Sequence, residues 1–267
     1  MSAVGSSLTV LFREAERPLL MPYAVGGYPD PAGCLEIVRC YLENGADLVE
    51  LGIPFSDPLA DGPVIQDASQ AALRGGVRPA DVLELAGVAT SEGARVVLLS
   101  YLNNILAFGP EQFFERCREC GVLGVVIPDL PVEEASGLQI TAEARGVSVI
   151  LLAAPTSTEE RLARIAAAAS GFIYCVSTTG VTGARSSLPE DLPDFVARIR
   201  RHTRLPLAVG FGVSTVQQAE AVAGYADGVI IGSALVDMVA RSESLAAGLR
   251  AIGRYLQEVR STPSFSR

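Results

Sequence analysis

Three carboxylates fall in one short stretch, Glu50-Leu-Gly-Ile-Pro-Phe-Ser-Asp57-Pro-Leu-Ala-Asp61-Gly-Pro-Val-Ile-Gln66. Glu50 sits in the alternating segment Asp47-Leu-Val-Glu-Leu51, where Leu48 and Glu50 share one face of a strand and Val49 and Leu51 the other. A carboxyl on the same face as Leu48 is desolvated, and desolvation moves its pKa upward, toward useful proton transfer at neutral pH. The chain then leaves the strand through Gly52, Pro54, Pro58, Gly62 and Pro63, a run of turn formers that makes a loop. That loop carries Asp57 and Asp61. A buried acid on a rigid strand, faced by an acid on a loop, is a way to run acid and base chemistry in one site. The plainer reading of the same residues is two turn aspartates and an ion-paired strand end.

Other chemistries find less support. The five cysteines are odd in number and scattered, which suits a reducing compartment rather than a disulfide framework. Cys117 and Cys120 form a CxxC, but within the amphipathic segment Glu111–Cys120 and with no second Cys/His pair to complete a metal site. A single histidine, His202, leaves neither a multi-histidine metal centre nor an obvious Ser-His-Asp triad. A net charge of −9 without a basic tract argues against nucleic acid as a partner. No apolar run is long enough for a membrane span, and the N-terminus has no basic-then-apolar signal pattern, so the expected location is cytoplasmic.

The elements that must hold these residues repeat along the chain. Apolar strands are predicted at Leu19–Val25, Asp47–Leu51, Arg95–Ser100, Val122–Ile127, Val147–Ala153, Gly171–Val176, Leu205–Val209 and Gly228–Ile231, each followed by a helical stretch. The last of these helices is predicted over Ala234–Val259. Eight such units in a chain of 267 residues predict a single (β/α)8 TIM barrel. An extra N-terminal helix covers Ser7–Glu16, and a frayed tail runs from about residue 260 to 267. An open doubly wound sheet would more typically carry a dinucleotide glycine fingerprint after its first strand, and Val25-Gly-Gly-Tyr-Pro is not one. In a barrel the chemistry lies at the C-terminal strand ends. Glu50 and Asp129 are the acids there, and Asp129 also reads as a charge favouring the start of the following helix. Gly210-Phe-Gly212 after the seventh strand and Gly232-Ser233 after the eighth each open a helix, where backbone N–H groups bind phosphate. The glycine-punctuated segment 177–187 after the sixth strand reads as a closing lid or as a solvated linker.

Together these residues resemble the family of tryptophan synthase α subunits. The resemblance runs from about Pro18 to Val239 and rests on five motifs: the Glu50–Gln66 stretch, Pro128-Asp-Leu-Pro-Val-Glu-Glu134, Gly180-Val-Thr-Gly183, Gly210-Phe-Gly212 and Gly232-Ser233. It implies a retro-aldol cleavage of indole-3-glycerol phosphate to indole and glyceraldehyde 3-phosphate. By the same resemblance Glu50 and Asp61 are the catalytic pair, and Tyr174 lies near the reacting glycerol. Gly183, Gly212, Gly232 and Ser233 hold the phosphate. Tyr23, Leu99, Val126, Leu152 and Phe211 wall the indole pocket, and Thr182 in the lid meets Asp61. No cofactor is implied for this chain. Pyridoxal phosphate would belong to a β-subunit partner in an α2β2 complex, faced by the lid and by the loop carrying Asp57 and Pro58. Two other readings stay open: a stand-alone lyase that releases free indole, and a non-catalytic phosphate-binding barrel that acts as a scaffold.

Overall fold

A computed structural model of the chain describes residues 7–177 and 188–266. Its strands are β1 (Leu19–Val25), β2 (Val49–Gly52), β3 (Val96–Leu99), β4 (Val122–Val126), β5 (Ser148–Ile150), β6 (Leu152–Ala153), β7 (Ile173–Val176), β8 (Leu207–Gly210) and β9 (Gly228–Ile231). The hydrogen-bonded order is β5-β4-β3-β2-β1-β9-β8-β7-β6, with parallel pairing throughout. The two ends of this ladder are consecutive in sequence and separated only by Leu151. The Leu151 carbonyl accepts a hydrogen bond from Tyr174 N–H at 3.0 Å, an ordinary ladder distance. The sheet therefore closes into a barrel, and the fifth predicted strand is present as two halves. The strands are rich in Val, Ile and Leu on both faces because side chains fill the inside and helices cover the outside.

The covering helices begin where the sequence supplies helix starts. Pro31, Pro63, Pro79 and Pro110 each open a helix, where a missing N–H costs nothing. Asp30 caps the helix Pro31–Glu43 by accepting from Gly33 N–H at 2.9 Å. One helix, Leu102–Phe108, goes beyond the predicted set. Its N-terminal N–H group at Leu102 is met by Asp129 from the next βα connection, at 2.9 Å. The C-terminal stretch predicted as one helix is two, Ser233–Ala240 and Leu245–Arg260. Ser244 interrupts it by capping the second, accepting from Ala247 N–H at 3.3 Å.

The N-terminal helix Ser7–Glu14 plugs the barrel floor. Leu8 and Phe12 enter spaces left by glycines. A Cβ on Gly171 would lie 2.8 Å from the Leu8 side chain, and one on Gly228 would lie 3.0 Å from the Phe12 ring. Thr9 locks the plug by donating its hydroxyl to the Gly171 carbonyl at 2.9 Å. The frayed tail is a correction for residues 260–266. Phe265 is 2 % exposed, with the Arg260 guanidinium 5.8 Å from its ring centroid. Arg260 also binds Asp47 at 2.6 Å and the Gly45 carbonyl. Asp47 in turn takes two hydrogen bonds from Arg17, at 3.0 and 3.2 Å, so the tail is tied into the barrel floor. The C-terminal mouth is the end left open to a ligand. No helix among the described residues is long and apolar enough to cross a membrane.

Candidate active site

Glu50 stands in β2 beside Tyr23 of β1 and Val97 of β3. It is 2 % exposed, and its Oε1 is buried with no hydrogen-bond partner among the described residues. Burial, and then the charge of Asp61, push its carboxyl up to about 8. Asp61 is 5 % exposed. Burial pushes it up to about 6, while a hydrogen bond with the Tyr101 hydroxyl pulls it back down. At neutral pH the strand acid is therefore mostly protonated and the loop acid mostly ionised. Two carboxyls set apart in this way can take different roles in one reaction.

The loop holding Asp61 is pinned at several points. Ala60 N–H donates to the Tyr101 hydroxyl at 3.0 Å, and Phe55 stacks on the Tyr101 ring with centroids 5.1 Å apart. Asp61 N–H reaches the Pro58 carbonyl at 2.9 Å, and Gln66 donates to the Asp61 carbonyl at 2.8 Å. Asp57, by contrast, is exposed and receives the Ser56 hydroxyl. It is a turn residue, as the plainer reading has it.

Two phenols enter the mouth from different sides. The Tyr23 hydroxyl lies over Gly52 and the Tyr174 hydroxyl over Gly210, so close that a Cβ on either glycine would overlap the oxygen. The Tyr174 ring meets Phe211 edge-on at 5.4 Å. Phe211 adopts φ = 65° and Gly212 φ = 89°, a left-handed turn that brings the Phe211 ring over the barrel end. The Ser177 hydroxyl secures this turn by donating to the Phe211 carbonyl. Beside it, Gly232 and Ser233 begin the helix Ser233–Ala240, which has no side-chain cap among the described residues. Leu235 N–H turns back to the Gly232 carbonyl at 2.9 Å, and the helix start is a place where backbone N–H groups can meet an anion.

A cavity of about 30 Å³ joins these pieces. Of the predicted site residues it is lined by Glu50, Asp61, Tyr174, Tyr23, Leu99, Phe211, Gly212, Gly232 and Ser233. Val126 and Leu152 do not line it: Val126 is fully buried in β4 and Leu152 is half-buried in β6. Thr182 and Gly183 lie outside the described residues. Ile65 and Ile230 also line the cavity, beyond the predicted set. Strand alternation points to Ile230, two residues before Gly232; Ile65 follows a loop whose path no local pattern gives. Asp129 serves the helix start described above and is no part of this wall.

The family described as "Tryptophan synthase alpha chain" has a sequence model that matches residues 11–261. A tryptophan synthase alpha chain of Carboxydothermus hydrogenoformans is 45% identical over 240 residues, 90% of each chain. One of Geobacillus kaustophilus is 47% identical over 224 residues, 83% of each. Among solved structures, tryptophan synthase of Mycobacterium tuberculosis superposes with a TM-score of 0.89 at 38% identity, covering 97% of this chain and 100% of that one. The alpha chain of Legionella pneumophila gives 0.86 at 31% identity, covering 98% and 97%. With the family model spanning nearly all of the barrel and its C-terminal helix, the chain belongs to the tryptophan synthase alpha chain family.

Proposed function

We propose that Glu50 and Asp61 divide the acid–base work of this chain's reaction. As a member of its family the chain is a lyase of tryptophan biosynthesis that cleaves indole-3-glycerol phosphate. The bond to break joins indole C3 to C3′ of the glycerol. Glu50 begins as a carboxylic acid and gives its proton to C3, which makes the ring a cationic leaving group. Asp61, ionised, offsets that charge beside the ring N–H. The Glu50 carboxylate then takes the proton of the C3′ hydroxyl. The C3′–O bond becomes a carbonyl and the C3–C3′ pair returns to the ring, so indole and the aldehyde leave and Glu50 is again protonated. The pair needs no metal or cofactor for this. Gly212, Gly232 and Ser233 cradle the phosphate, and Tyr174 borders the glycerol.

The observation that carries this reading is the Glu50 oxygen that has no partner among the described residues, beside Asp61 in an apolar mouth. A buried polar atom without a partner costs stability, and a substrate proton would supply the missing partner. A cavity of about 30 Å³ is smaller than an indole ring, so a wall of the site opens to admit substrate, and in this reading the wall that moves is the loop bearing Asp61. That same loop exposes Leu59 at 87 %, and the helix Leu102–Phe108 against which it packs exposes Leu106 at 53 %. Two bare leucines at the mouth support docking of a β subunit on this face, with pyridoxal phosphate on the partner's side.

The test is indole release from indole-3-glycerol phosphate, with and without a tryptophan synthase β subunit. Slow release that rises with the partner is the expected result, and Glu50→Gln abolishes it with the fold intact. Rapid release indifferent to the partner would make the chain a stand-alone lyase. No release under either condition would leave a phosphate-binding scaffold.

A further inference from the structure

We propose that Tyr23 is a catalytic hydrogen-bond donor, its hydroxyl binding the C3′ oxygen of the substrate as that oxygen becomes a carbonyl. The proposal rests on the retro-aldol reading given above. It assigns to Tyr23 a role beyond that of a pocket wall.

Strand register sets the geometry. Tyr23 and Glu50 are paired neighbours on β1 and β2. Glu50 and Gly52 are two residues apart in β2 and so share its inner face. The Tyr23 hydroxyl lies over Gly52, where any Cβ would overlap it. The oxygen thus stands on the mouth side of Glu50, the side from which substrate arrives. The ring carbons Cζ and Cε2 also lie over Gly52, within 2.7 and 2.8 Å of where a Cβ would stand, so a phenylalanine would keep this wall and lose only the polar atom aimed at the mouth.

The hydroxyl is held there and left available. The Tyr41 hydroxyl donates to the Tyr23 carbonyl at 2.8 Å, fixing the backbone under the ring. On the other side Gly232 approaches, with a Cβ there coming within 3.7 Å of the ring. Tyr23 is therefore wedged between the reacting end of the site, at Glu50, and its phosphate end, at Gly232 and Ser233. The substrate's glycerol carbons must span the same interval. Among the described residues the Tyr23 hydroxyl has no hydrogen bond, and it borders the cavity. Burial and the charges of Asp61 and Glu50 hold its pKa well above the usual phenol value, so it stays a donor throughout the working pH range.

The chemistry needs a donor at this point. When Glu50 removes the C3′ hydroxyl proton, negative charge gathers on that oxygen before the C3–C3′ pair has fully returned to the ring. A neutral O–H aimed at the oxygen stabilises this moment more than the ground state, and transfers no proton of its own. Removing one such donor from an active site costs on the order of 10²-fold in turnover, and less where another group shares the load.

Tyr23→Phe tests this, because the change is nearly isosteric and deletes only the oxygen. The assay compares kcat for indole-3-glycerol phosphate, in the presence of the β subunit, with the affinity for indole-3-propanol phosphate, which lacks both glycerol hydroxyls. The expected result is a kcat at least tenfold lower with unchanged affinity for the analogue and unchanged Tm. A kcat within twofold of the parent would return Tyr23 to the wall. A loss of kcat matched by an equal loss of analogue affinity would mean that the ring's shape, not its hydroxyl, is what matters. Failure of the parent chain itself to cleave the substrate would remove the retro-aldol reading, and this proposal with it.

Discussion

The fold carries Glu50 at a cost that a single substitution can relieve. Its carboxyl is pushed up to about 8 in the folded chain, from the ordinary carboxylate range near 4.5 when unfolded. Between these two values the folded state binds the proton and the unfolded state releases it, so stability falls as pH rises through the interval. Below the unfolded value both states are protonated and the penalty vanishes. Each tenfold change in a proton equilibrium is worth ~1.36 kcal/mol, so the penalty is roughly 1 kcal/mol at about pH 5 and roughly 4–5 kcal/mol at about pH 9. Glu50→Gln removes the titration while keeping shape and a polar head. The stability of the variant minus that of the parent should therefore climb by roughly 3–4 kcal/mol between about pH 5 and about pH 9. Any fixed effect of the amide cancels from this slope. Urea unfolding at a series of pH values, followed by circular dichroism, reads it directly. A difference that stays flat across that range would mean that Glu50 ionises in the fold as easily as in water, and its role as the acid would fall with its desolvation.

The same two carboxyls predict a bell-shaped pH dependence of kcat/KM: activity is lost as pH falls through about 6, when Asp61 takes a proton, and as pH rises through about 8, when Glu50 loses one. A stopped indole assay across that range checks it, and a profile with both limbs below about pH 5 would contradict it. At the barrel floor, Phe265→Ala should cost roughly 2–3 kcal/mol in urea unfolding, because a buried ring is lost near a chain end that can partly relax. A change under ~0.5 kcal/mol would mean a tail that contributes nothing, as a surface substitution would.

What can be read from the sequence is whatever local patterning controls. The strands are mostly apolar runs because both faces of a barrel strand are buried, and that signal needs no partner to be seen. Glu50 is legible for the opposite reason: a charge in an otherwise apolar alternation is conspicuous. The departures come from contacts between distant parts of the chain. The helix Leu102–Phe108 starts at Leu102, whose N–H is satisfied by Asp129 from another connection, so no capping residue announces it. Phe265 lies among serines and a proline that read as a loose end, and its burial depends on Arg260 and the floor it meets. Val126 and Leu152 are placed in the pocket by resemblance alone, and they miss its lining. Ile65 reaches the pocket through a loop that folds back on Tyr101.

The division of labour between strand and loop has a physical consequence for how the acid is armed. Glu50 is kept protonated by burial first and by the nearby Asp61 second. Both causes depend on the loop. Asp61 is brought in by it, and part of the burial is the loop's own cover over the mouth. In the opening of the loop proposed above, water reaches Glu50, Asp61 leaves, and each change favours the ionised form. When it closes, both changes reverse, and Glu50 regains its proton just as the ring carbon that will take it arrives. Two carboxyls fixed on the same rigid strand pair could not do this, since their mutual repulsion would be constant. One on a strand and one on a loop make the strength of the acid a function of closure. With the docking proposed above, the exposed Leu59 on that loop would give the partner a handle on the same proton.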